Sequence, residues 1–232
     1  MSASRDAVFT SIRASLGRGR LDDAARRAID QRLANPKANV VPARGQLQGE
    51  ALIGLFISEA ERVNVTLVRV DGYAAVPAAV AAFLREANLP AQLKLAPDPL
   101  IATIPWASEP LLTCITGAAA AEDTAAVSAA FAGVAETGTL VMVSGPDNPT
   151  GLNFLPEAHI VVLPTACIVG CYEDAFAWLR ASTKPGEMPR VLNWITGPSR
   201  TADIEQTLLL GAHGPKRLLA MLVDGEPRPA HA

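Results

Sequence analysis

The sequence predicts an α/β fold, a largely parallel sheet flanked by helices, behind a short helical leader. Three observations predict it. Apolar runs of strand length recur at residues 65–70, 160–163 and 218–223, as buried parallel strands require. Between such runs, apolar residues repeat every three or four positions, as at Tyr172, Phe176 and Leu179, which is the period of a helix. With 232 residues, 50% of them hydrophobic, the chain can also bury a full core.

The leader comes first. Val8, Ile12 and Leu16 stand four residues apart and predict an amphipathic helix over residues 4–16, stopped by Gly17-Arg18-Gly19. Residues 24–33 read as a second helix and 35–42 as a linker, so the leader is assigned 1–44 and the α/β domain 45–232. Residues 1–44 carry nine Lys/Arg against four Asp/Glu, a net +5, while the remainder carries −8. The leader has no long basic run interleaved with aromatics, so it reads as a solvated arm or one that docks on an acidic partner, with no nucleic acid implied.

The domain then alternates. Leu52, Leu55, Phe56 and Val63 share a helical face, residues 65–70 form a strand, and Val76, Val80, Phe83 and Leu84 mark a helix ending near Asn88-Leu89-Pro90. Strands are expected at 92–96 and 111–116, and the alanine-rich stretch 122–132 is expected to be helical because alanine is the best helix former. Further strands are expected at 139–144, 160–163, 191–196 and 218–223, with a helix through Tyr172, Phe176 and Leu179. The run 191–196 is expected to be buried and to break at Gly197-Pro198; a helix then restarts with Ser199 as N-cap and Gly211 as its stop.

Candidate site residues follow from that architecture, since ligands of open α/β sheets collect beyond the carboxyl ends of strands. Three expected strand ends carry a small hydroxyl and a glycine: Thr116-Gly117, Ser144-Gly145 and Thr196-Gly197-Pro198-Ser199. Together with the helix N-terminus at Ser199, and with Arg200 and Thr201 beside it, they suit a small anion. The same residues also suit plain turns. Asp203 and Glu205 either orient Arg200 or complement the helix dipole. Glu136, in the run A-E-T-G-T with Thr137, Gly138 and Thr139, is a general base, an acyl acceptor or a structural carboxylate. His213 either moves a proton or fixes its turn, and Asn153 either orients a ligand or satisfies its loop.

What is missing narrows the function. The sequence contains no G-x-G-x-x-G after a strand, no G-x-x-x-x-G-K-[ST], no G-x-S-x-G and no H-E-x-x-H, so dinucleotide-binding, P-loop, α/β-hydrolase and zincin chemistries lose support. Cys114, Cys167 and Cys171 are too few for an iron–sulfur cluster, and His159, His213 and His231 do not assemble a metal site. Cys167 and Cys171 are spaced to lie one helical turn apart. No metal and no intrinsic cofactor are expected. Acidic residues interrupt every apolar run short of bilayer length, and the arginines of the N-terminus precede no signal-like apolar core. The expected location is the cytoplasm.

Several of these runs also carry a resemblance. A-E-T-G-T at 135–139, S-G-P-D-N-P-T-G-L-N-F-L-P-E at 144–157, and S-R-T-A-D-I-E followed by G-A-H-G-P at 199–215 resemble the LUD domain, and most of all the lactate-utilisation protein C family. That resemblance implies a fold similar to the NagB/RpiA/CoA-transferase group. It also implies a part in oxidising L-lactate to pyruvate beside partner proteins that carry iron–sulfur clusters, without assigning this chain a step. Two other readings are a self-sufficient acyl-CoA transferase or isomerase using Glu136 and His213, and a non-catalytic assembly protein.

Overall fold

The computed structural model describes residues 3–17, 19, 21–37, 39–184, 186–201 and 209–225. It divides into two compact units, Met1–Val40 and Val41–Ala232. The first holds helices α1 (Ala3–Ser15) and α2 (Asp23–Ala34), the latter capped by Asp22, whose carboxylate accepts from Ala25 N at 2.7 Å. On α1 the Phe9 ring lies between the guanidinium groups of Arg5 and Arg13.

The second unit runs α3 (Gly49–Arg62), β1 (Thr66–Val70), α4 (Val76–Glu86), β2 (Gln92–Leu95), α5 (Pro99–Thr103), β3 (Thr113–Thr116) and β4 (Ala125–Ala129). It continues with β5 (Ala132–Val134), β6 (Thr139–Val143), β7 (Ala158–Pro164), β8 (Ile168–Val169) and α6 (Tyr172–Ser182). Four strands complete it: β9 (Leu192–Ile195), β10 (Arg200–Thr201), β11 (Leu209–Leu210) and β12 (Arg217–Val223). Six strands form the predicted parallel sheet, in the order β1-β12-β7-β4-β2-β3. On one face α4 and α5 bury Val80, Leu84, Leu100 and Ile101 against Ile160, Val162 and Met221. On the other, Phe56 and Ala60 of α3 pack with Leu140 and Met142 against Val161, Leu163 and Leu222.

Leu140 and Met142 belong to a second sheet, β8-β5-β6-β9, in which β6 pairs antiparallel with both β5 and β9. The apolar runs at 139–144 and 191–196 do not distinguish a strand of this layer from one of the main sheet. β9 is accordingly half-buried rather than buried, because it is the edge of the smaller sheet.

Three further expectations are corrected. The alanine-rich stretch 122–132 is not helical: it holds β4 and the start of β5, with every residue of β4 buried. Propensity yields here to position, because β4 lies inside the sheet with layers on both faces, where small side chains let those layers approach. Ser199 caps no helix. Arg200 and Thr201 pair antiparallel with Leu210 and Leu209, and the Ser199 hydroxyl accepts from His213 N at 3.2 Å instead of from a helical turn. Gly211 therefore follows a strand and stops no helix; Asp203 and Glu205 lie outside the described residues. Finally, Cys167 and Cys171 share no helix, since β8 stands between them.

The sheet encloses one buried base. His159 on β7 is fully buried and its Nε2 lies 2.6 Å from the Ser128 hydroxyl of β4, while Nδ1 has no partner among the described residues. Burial pushes its pKa down from about 6.5 to about 3. The folded protein thus holds the neutral ring while the unfolded chain takes up a proton near pH 6.5, so this stability is complete above that pH and drains away as pH falls toward 3. Urea unfolding should lose about 2 kcal/mol between about pH 7 and pH 5 through this group. His159→Gln should flatten that slope, whatever it does to stability at neutral pH.

Candidate functional site

The strand-end turns expected to share one address do not share it. Antiparallel pairing of β6 with β9 matches Leu140 to Ile195 and Val143 to Leu192, so Ser144 and Thr196 leave opposite ends of one ladder, roughly 17 Å apart at 3.4 Å per residue. Thr116-Gly117 ends β3, the exposed edge of the other sheet. The predicted residues fall into four places.

At one end of the small sheet, Thr139 is fully buried and its hydroxyl lies 2.8 Å from that of Thr137, 3.1 Å from Tyr172 Oη and 2.7 Å from the Thr196 hydroxyl. Glu136, only 6% exposed, accepts from Tyr172 N, the first amide of α6, at 3.2 Å. That places a carboxylate at the positive end of the helix dipole. The glycines of this end make room for backbone. A Cβ on Gly138 would overlap the backbone of Ala60 near the end of α3, and one on Gly197 would overlap the carbonyl of Val63 just beyond it; both residues have positive φ, 62° and 87°. The T-G-T and T-G-P runs are thus pressed against the same helix end.

At the second place, the base of the β10–β11 hairpin, Ser199 N donates to Pro215 O and Gly211 N to Ser199 O, both at 2.9 Å. Ser199 therefore presents no open amide of its own. His213 is exposed, and Gly214 lies against Ser199 and Phe154. Asn153, beside Phe154, is 2% exposed, with an Oδ1 that lacks a partner among the described residues. Arg200 is exposed and Thr201 buried. The third place is Thr116-Gly117.

The fourth place holds a cavity. Ser144 and Gly145 line a space of about 650 Å³ bordered by Ala129, the last residue of β4, and by Asp98, in the turn after β2. It therefore opens at the carboxyl ends of parallel strands, where α/β sheets bind ligands. Its turn is well anchored: Ser144 Oγ accepts from Val191 N at 2.9 Å, and the backbones of Gly145 and Asn148 bond each other in both directions. Asp98 is 2% exposed and caps α5 by accepting from Leu100 N at 2.8 Å. Phe131, Leu179 and Met188 supply apolar wall. Asn148 and Asp98 were not singled out from the sequence. The signals were present, since Asn148 lies in the same S-G-P-D-N run as Ser144, and Asp98-Pro99 is a helix-start pair.

The lining charge is acidic. Asp98, Asp147 and Glu187 face the space with Lys184 as the one described cation, so an anion is disfavoured there. Cys171, buried at the start of α6, donates its thiol to Asp174 at 3.2 Å, and burial pushes its pKa up to about 11. A thiol so held is no nucleophile at neutral pH.

Part of the chain is similar to known proteins. Residues 116–223 match the sequence pattern of the LUD domain. Nearly half of the chain is thus similar to the LUD domain. This region includes β4 and the S-G-P-D-N turn of the cavity. Among relatives, lactate utilization protein C of Geobacillus thermodenitrificans is 35% identical over 106 residues, 44% of this chain and 44% of that protein. Its namesake from Shouchella clausii is 34% identical over 91 residues, 39% of this chain and 40% of that one. The alignments thus span about two-fifths of each relative's length. The crystal structure of a DUF162 family protein from Deinococcus radiodurans superposes with a TM-score of 0.59 over 77% of this chain and 99% of that one, at 22% identity, which speaks to the fold.

The glycine packing gives a direct test. Gly138→Ala should destabilise the protein by about 2–4 kcal/mol, since both a positive φ and a helix backbone oppose the added methyl. Gly145→Ala meets open space and should change stability by less than about 0.5 kcal/mol. Chemical unfolding of both variants checks the contrast.

Proposed function

We propose that this chain is a component of a system oxidising L-lactate to pyruvate, acting in the cytoplasm beside partner proteins whose iron–sulfur clusters carry the electrons. The observations that support this reading are the similarity to lactate utilization protein C and the match of residues 116–223, which hold most of the cavity lining, to the LUD domain. The chain contributes a ligand site at the carboxyl ends of β2 and β4, and its partners contribute the redox groups.

Among the described residues, Glu136 spends a carboxylate oxygen on a helix amide, and His213 is exposed on another turn with its backbone tied to Ser199. Neither arrangement favours a self-sufficient transferase. Arg200 remains the cation best placed, by its exposure and its position in the S-R-T-A-D run, to meet an anionic substrate or an acidic partner surface.

The test is growth on L-lactate of a strain lacking its own copy of the gene, complemented with wild type or with Arg200→Lys. Wild type should restore growth on lactate and leave growth on glucose unchanged. Arg200→Lys should accumulate and melt normally, within about 0.5 kcal/mol of wild type, yet support growth poorly, because lysine does not reproduce a two-pronged contact. Failure of wild type to restore growth overturns the lactate role. Full growth with the variant removes Arg200 from it.

A further inference from the structure

Helix α1 has an apolar face left open to solvent. Val8, Phe9, Ile12 and Leu16 fall on one side of it, and Leu16 N donates to Ile12 O at 3.0 Å, so the stripe continues one residue past Ser15. All four are exposed, from 43% at Phe9 to 60% at Leu16, as is every residue from 4 to 17. Large apolar side chains in such a row are more than scattered surface hydrophobics. The opposite face holds the small residues Ser4, Ala7, Ser11 and Ala14. Cations border the stripe: the Arg5 and Arg13 guanidinium groups stand 5.3 and 6.0 Å from the centroid of the Phe9 ring. Helix α2 adds Arg26, Arg27 and Arg32 and buries none of its residues. With nine Lys/Arg against four Asp/Glu over residues 1–44 and a net −8 over the remainder, a negative surface attracts the leader and repels the rest of the chain.

Length and charge decide what covers that face. The 13 residues of α1 span roughly 20 Å, against roughly 30 Å of bilayer hydrocarbon, and no helix among the described residues is long and apolar enough to cross a membrane. A single row of four side chains also falls short of the roughly 800 Å² per partner that a stable dimer buries, and a second copy would set one basic leader against another. A lipid surface needs no matching groove: it takes up the apolar stripe while the flanking arginines meet its headgroups. We propose that α1 is an interfacial helix that lies in the plane of an anionic lipid surface, with Val8, Phe9, Ile12 and Leu16 at the acyl boundary and Arg5 and Arg13 on the lipid phosphates. This attachment holds the protein at a membrane surface whatever reaction its α/β domain serves.

Co-sedimentation of the purified full-length protein with lipid vesicles tests it. The protein should pellet with vesicles made of equal parts phosphatidylglycerol and phosphatidylcholine, stay in solution with pure phosphatidylcholine, and lose affinity as salt is raised. Phe9→Ala/Ile12→Ala should weaken binding to the anionic vesicles about tenfold or more. Alanine preserves the helix and both side chains are exposed, so helix content by circular dichroism and the melting curve should stay as in wild type. Arg5→Gln/Arg13→Gln should also weaken binding, by a factor that shrinks at high salt. The proposal is overturned if wild type ignores the anionic vesicles, binds neutral ones equally, or binds undiminished after the alanine pair. Binding to soluble poly-glutamate as tight as to the vesicles overturns it as well, because an acidic protein is then the partner. So does a dimer, seen by light scattering, that the alanine pair dissociates, because a second copy then covers the stripe.

Discussion

Strand β4 must be thin. Its five residues, Ala125, Ala126, Val127, Ser128 and Ala129, are all buried, with α5 and the 150–153 turn on one side and the smaller sheet facing the other. Larger side chains at these positions would push the layers apart, and close packing tolerates little such expansion. The cavity borders the end of this strand, at Ala129, so the same requirement that admits alanine also fixes where the site can form.

A second close approach organises the small sheet. Gly138 and Gly197 bring two turns onto the end of α3, and Thr139 ties both to Tyr172 through a shared set of hydroxyls. These are the runs that read in the sequence as anion cradles. Glycine serves two purposes in proteins, access for a ligand and access for another backbone, and in this end of the fold it serves the second. An ion-pair cluster does comparable work at the far edge of the main sheet, where Arg69 on β1 bonds Glu50 at 2.7 and 2.8 Å and Asp224 at 2.7 and 3.1 Å. It joins the start of α3, β1 and the residue after β12. Glu50 is largely open to water and Arg69 and Asp224 are partly so, and the contribution of these ion pairs is chiefly geometric.

The cavity and the hairpin offer two chemically different surfaces. One is a space at the carboxyl ends of β2 and β4 lined by acidic and apolar side chains. The other is an exposed turn with a cation, where a surface or a charged substrate can be met without burial.

The sequence by itself determined the α/β class, the parallel strands at β1, β7 and β12, and the helices α3, α4 and α6, because apolar periodicity is a local property that survives without knowledge of neighbours. It also marked the S-G-P-D-N run, which lines one side of the cavity through Ser144, Gly145, Asp147 and Asn148. It did not determine that residues 125–129 are extended, since alanine's local preference is helical and only burial between two layers overrides it. Nor did it determine that β6 and β9 form a second, antiparallel sheet, which separated Ser144 from Thr196, or that Arg200 and Thr201 pair with Leu210 and Leu209 in place of a helical turn. Strand partnership is decided between residues far apart in the chain, and so was every question of which candidate residues share a site.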